Sequence, residues 1–224
     1  MANFNVTIKM SEETVTKLRD SRFKLFGFKA VAVSLEGGVP LVWFKSENYL
    51  ANTQVSWKEQ FQGYISSQTS PAAGTVIYAS CVNNKVDLGQ TMNVDRNGNC
   101  SETTTAGTPG AISILNKGKL EWTCGINQMV NGSPQALCAI PLYGGNLDVI
   151  TPVQKVFFMF ATSPVEIGTV IIQSFSSGAL IDLTGKGSRE VTFDINEGWG
   201  PTTATWMALK EAQTDLTPIL INRG

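Results

Sequence analysis

The chain has no histidine among its 224 residues. That removes the Ser-His-Asp triad, the Cys-His dyad and most zinc sites together, because each needs an imidazole as base or ligand. Charge is also scarce. Only 16% of residues are Asp, Glu, Lys or Arg, with 17 basic against 18 acidic side chains and a net charge of −1. No Lys/Arg run stands out, and nucleic-acid recognition, which requires a clustered basic face, is excluded as a partner class. No apolar run approaches the roughly 18 residues that a spanning helix needs. The first residues, Met-Ala-Asn-Phe-Asn-Val-Thr-Ile-Lys, lack the basic and apolar regions of a signal peptide. The expectation is a soluble protein, cytoplasmic in its producer or released without a signal.

What is present is alternation. From Val55 to Ile65 one side of the chain reads Val55, Trp57, Glu59, Phe61, Gly63, Ile65, and the other is mostly polar. A period of two with this contrast marks a half-buried strand. Similar β-branched or aromatic runs recur from Phe4–Ile8 to Glu190–Ile195, separated by turn signals such as Asn97-Gly98 and Asn131-Gly132. Helix signals are confined to Ser11–Asp20, with an N-cap serine and acids in the first turn, and to Thr202–Ala212. The pattern predicts an all-β, antiparallel β-sandwich or flattened barrel with one or two short peripheral helices. The chain reads as one domain over residues 1–224, and the loop near 70–75 is the alternative boundary.

Four cysteines, Cys81, Cys100, Cys124 and Cys138, show no CxxC spacing. Cys124 and Cys138 flank the Asn131-Gly132 turn almost symmetrically, so a hairpin there makes them the favoured disulfide pair, with free buried thiols as the alternative. Cys81–Cys100 looks harder to close, because an intervening strand from Lys85 to Val94 would hold its two ends far apart. No cofactor or metal site is read from the chain. Asp95-Arg-Asn-Gly-Asn99 departs from the calcium-loop pattern and fits a turn.

Two functional constellations remain. Trp199 and Trp206, with Asn196 and Glu197, lie in a glycine-interrupted stretch, where an indole can stack on a sugar, enter a lipid interface or plug the end of a sandwich. Val55, Trp57, Phe61 and Ile65, followed by the Ser/Thr/Pro loop and by Val76 and Tyr78 in Thr75–Val82, read as a hairpin able to insert into a bilayer, although Glu59 falls on its apolar side. The polar, weakly charged β style resembles that of small β-sandwich cytolysins and lectins. The leading expectation is therefore a non-enzymatic, membrane-acting, cytolysin-like toxin. The alternatives are a carbohydrate-binding, lectin-like module and a self-assembling structural or storage protein. The partner is then a lipid membrane or a glycan, and a homo-oligomer is kept open.

Overall fold

The structure is a computed structural model and describes residues 2–100 and 102–224. Its strands, in chain order, are β1 (Asn3–Lys9), β2 (Lys24–Val33), β3 (Val39–Pro40), β4 (Phe44–Ser46), β5 (Asn52–Ser66) and β6 (Cys81–Val82). They continue with β7 (Thr91–Val94), β8 (Glu102–Thr104), β9 (Ile112–Asn116), β10 (Trp122–Val130), β11 (Ser133–Ala136) and β12 (Cys138–Leu142). The last are β13 (Leu147–Ala161), β14 (Gly178–Asp182), β15 (Ser188–Asp194), β16 (Gly198–Gly200), β17 (Met207–Lys210) and β18 (Ile221–Arg223). Two helices, α1 (Glu12–Asp20) and α2 (Thr217–Leu220), complete the described secondary structure.

The strands form two sheets stacked as a sandwich. The first runs β16-β15-β1-β5-β10-β12-β3, with β11 beside β10 and β6 beside β5. The second runs β17-β14-β13-β9-β7-β8, with β2 on the other edge of β13 and flanked by β4 and β18. Most pairs are antiparallel as expected, but the sheets are mixed: β1–β15, β7–β9 and β2–β18 are parallel. Sequence patterning gives the faces of a strand and not its partners, so these crossings between distant segments were not legible.

Val6 and Ile8 of β1 and Val55, Trp57, Phe61 and Ile65 of β5 point inward, against Leu25, Val31, Phe158 and Phe160 of the second sheet. Trp43 and Trp57 meet edge to face at 5.6 Å between ring centres, a geometry that adds roughly 0.5–1.5 kcal/mol to area burial. The second sheet is covered on its far side too. Phe26, Phe28 and Ala30 of β2 and Phe157 and Met159 of β13 pack under Ile171, Leu216 and Leu220. This explains why Phe23–Val33 reads as a nearly continuous apolar run: both faces of β2 are buried.

Helix α1 stands where its caps predict, with Ser11 Oγ accepting the Thr14 N–H. The helix expected at Thr202–Ala212 does not form. Residues 201–206 turn, and Met207–Lys210 become β17, pairing with β14 from Gly178 to Ile181. An open sheet edge outweighs a short, uncapped helical preference. The Asn131-Gly132 turn is the expected tight hairpin, with φ of 45° and 86°.

The cysteine pairing is corrected. Cys81 and Cys100 form the disulfide, at a Cα separation of 6.1 Å, while Cys124 and Cys138 are buried free thiols. Two features account for the reversal. The two-residue turn sets Val130 opposite Ser133, a register that already puts Ala139 and not Cys138 opposite Cys124, and one extra residue between Ala136 and Ile140 moves the partner of Cys124 on to Ile140. In addition, Lys85–Val94 is not one strand. Only Thr91–Val94 is β7, and the Asp95–Asn99 turn then sends the chain back toward Cys81.

Candidate ligand-binding cleft

β15 lies parallel to β1, and β16 folds back on β15, so the segment carrying Asn196, Glu197 and Trp199 meets the end of the first strand. An open cleft of about 490 Å³ forms there. Lys9, Ser11 and Thr192 contribute an ammonium group and two hydroxyls, Asp194 and Glu197 carboxylates, and Phe193 and Trp199 aromatic surface.

Trp199 is not a projecting ring. It is 3% exposed, stacked 5.6 Å from Phe160 and tilted 4.9 Å from Phe193. Its indole N–H is buried and has no partner among the described residues. A buried N–H without an acceptor costs about 1–3 kcal/mol, so an acceptor supplied from outside would be favoured. Phe193 is half-buried, packed 4.5 Å from Phe160, and also lines the cleft.

Asp194 holds the rim in shape. Its Oδ1 accepts the N–H groups of Asn196 (2.8 Å) and Glu197 (3.2 Å), and its Oδ2 accepts the Thr14 hydroxyl at 2.9 Å. The Asn196 N–H and the Thr14 hydroxyl hold its carboxyl below the usual range. Asp194 therefore stays ionised and ties the turn to helix α1. Glu197 is exposed, and its carboxylate is free to meet a ligand. Lys9 is half-engaged by Glu190 at 2.8 Å.

The structure thus brings Trp199 and Glu197 together and places Asn196 on the rim as a backbone donor to Asp194. Trp206 lies elsewhere, under the Arg189 guanidinium at 4.7 Å from its ring centre, beside Lys155 and Asp182. Lys9, Ser11, Thr192 and Phe193 were not singled out in the sequence. The alternation of β15 puts Thr192 outward, but only the parallel pairing Lys9↔Thr192 brings the two together.

The expected inserting hairpin is not assembled. Val55, Trp57, Phe61 and Ile65 are buried in β5 as anticipated, but Thr75–Val82 is not a second long strand. Val76 makes a single bridge to Thr169, Tyr78 is 72% exposed, and only Cys81–Val82 pairs with β5. The edges of β5 are occupied by β1 along Asn52–Lys58 and by β10 along Trp57–Ser66. No helix among the described residues is long and apolar enough to cross a membrane. Among the same residues no group of three or more His, Cys, Asp and Glu side chains is placed to hold a metal.

Compared with protein-family models, curated proteins and solved structures, the chain matches none. The function is therefore read from the cleft itself.

Proposed function

We propose that the protein is a non-enzymatic recognition module that binds a saccharide in the cleft between β1 and β15–β16. The observation that carries this reading is the convergence of Glu197, Thr192 and Lys9 on an open cleft lined also by Phe193 and by Trp199, whose buried indole N–H has no partner among the described residues. A sugar presents hydroxyls that both donate and accept, above a C–H face. Carboxylate and hydroxyl acceptors, ammonium and indole donors and one aromatic surface match that pattern. Asp194, locked by three hydrogen bonds, lowers the cost of ordering the rim on binding.

Titration calorimetry against a panel of neutral monosaccharides and oligosaccharides tests the reading. Glu197→Gln removes a charged acceptor without changing shape, and should weaken binding about tenfold or more, on the scale of 1.5–3 kcal/mol for hydrogen bonds to charged groups. Binding unaffected by Glu197→Gln and by Thr192→Val together, or no saccharide bound at all, would overturn it.

Action at a membrane is a second reading, favoured by a different observation. Leu120, Tyr143 and Leu147 are 58%, 48% and 45% exposed. Asn116 gathers the first two by donating its side-chain N–H groups to the carbonyls of Leu120 and Tyr143. Exposed leucines beside a tyrosine suit a shallow lipid contact. Cosedimentation with phosphatidylcholine vesicles, lost on Leu120→Ser with Leu147→Ser, is the outcome this reading requires.

A further inference from the structure

The geometry points to a second subsite on the same sheet face, so placed that one extended oligosaccharide occupies both clefts; this rests on the saccharide reading above. The second cleft, of about 270 Å³, lies between the β1–β5 pair and the β10–β11 turn. Asn131 fixes the turn over the sheet: its backbone N–H donates to the Ser56 carbonyl at 2.8 Å, and its Oδ1 accepts the Ser56 N–H at 3.0 Å. Phe4 and Trp57, stacked 5.8 Å apart at 16°, contribute the apolar wall. The Trp57 indole N–H is buried without a partner among the described residues, as is that of Trp199, which lines the first cleft.

Among the described residues, the polar groups around this second cleft are mostly carboxamides, including Asn5, Gln54 and Gln60, with the Ser56 hydroxyl, the charge of Lys58 and no carboxylate. Carboxamides offer a donor and an acceptor on one planar group, which suits vicinal hydroxyls. The absence of acid here, against Asp194 and Glu197 in the first cleft, gives the two sites different chemistry. The second tolerates a neutral or carboxylated sugar, and the first favours a neutral one.

β1 connects them. Asn5 borders the second cleft and Lys9 the first. They are four positions apart along the strand, about 13 Å at ~3.3 Å per residue. Between them the outward row is Thr7, in register with Gln54 on one side and Glu190 on the other. The path is polar throughout and uninterrupted by a large apolar side chain. A single hexose ring is too short to touch both clefts; a chain of several is not. Tethering converts the second contact into an intramolecular one, so affinity should climb with length until the span is reached and then level off.

The test is titration calorimetry of the intact protein with gluco-, galacto- and N-acetylglucosamine oligomers of one to six units. The expected result is a rise of tenfold or more between monomer and the spanning length in one series. Gln60→Ala and Lys58→Met should return the long oligomers to monomer-like affinity. Affinity independent of length, with monosaccharides still bound, overturns the two-subsite inference and leaves the saccharide reading standing. Failure of every series at every length overturns both.

Discussion

Lys29, on β2, has no exposed surface and points into the space between the sheets. Its Nζ donates to the Val153 carbonyl and lies 3.5 Å from Gln154 Oε1, and Gln154 Nε2 reaches Glu59 Oε1 at 3.1 Å. Two bulges make this chain of contacts. One, between Pro152 and Val156 of β13, turns the Val153 carbonyl inward; the other, opposite Met129, lies where β5 carries Glu59. Burial pulls the Lys29 pKa down to about 7, against the opposing pull of Glu59 and Asp182. An unfolded lysine titrates near ~10.4. Above pH 7 the unfolded chain therefore holds a proton that the folded chain has released, and stability rises with pH. Above about 8.5, where unfolded thiols ionise, the buried Cys124, Cys138 and Tyr64, all pushed up by burial, act in the opposite sense. The expected outcome is a gain of at most about 2 kcal/mol from pH 7 to 8.5, flattened in Lys29→Met. Thermal denaturation across that window decides it, and equal slopes in both proteins would refute the assignment. Glu59 was legible in the sequence as an acid on an apolar face. Its link to Lys29 was not, because it runs through a side chain on the opposite sheet.

At the scale of elements, the Cys81–Cys100 bridge ties β6, on the first sheet, to the turn that follows β7 on the second. With a sequence separation of 19, a crosslink of this size contributes roughly 3 kcal/mol through the unfolded state. Urea unfolding of Cys81→Ser with Cys100→Ala should show a loss of about 2–4 kcal/mol; a change below about 0.5 kcal/mol would mean the bridge carries little of the fold. The turn at Asn131-Gly132 and the long strand β5 were readable because each rests on local chemistry. The extra residue between Ala136 and Ile140 was not, since it leaves no local mark, and it carries Cys138 one position further from the residue opposite Cys124. The segment around Val76 and Tyr78 failed as a strand for a comparable reason. Its residues alternate suitably, but Val76 bridges Thr169 instead, and the segment reaches β5 only at Cys81–Val82.

At the scale of the molecule, β1 pairs with β15, β2 pairs with β18, and β5 pairs with β10, so strands from both sides of residues 70–75 share each sheet. A chain closed in this way should unfold as one unit. Circular dichroism and tryptophan fluorescence are expected to give coincident denaturation curves; two separated transitions would indicate two independent units. The candidate site depends on the same closure. Trp199 and Glu197 stood out in the sequence, whereas Lys9, Ser11 and Thr192 became neighbours only when the first strand was laid beside the fifteenth.

That placement of β1 bears on how the protein can be handled. Asn3 borders the second cleft, so a peptide fused ahead of it would emerge beside the proposed saccharide path. Gly224, by contrast, is held at Val33 on the other sheet. An affinity tag joined at the front of the chain should depress oligosaccharide binding, and cleaving it should restore the affinity. The same tag behind Gly224 should leave binding intact. Immobilised by that end, the protein would present its polar sheet to solution, the orientation in which to screen surfaces, cells or polysaccharide beads for what it captures.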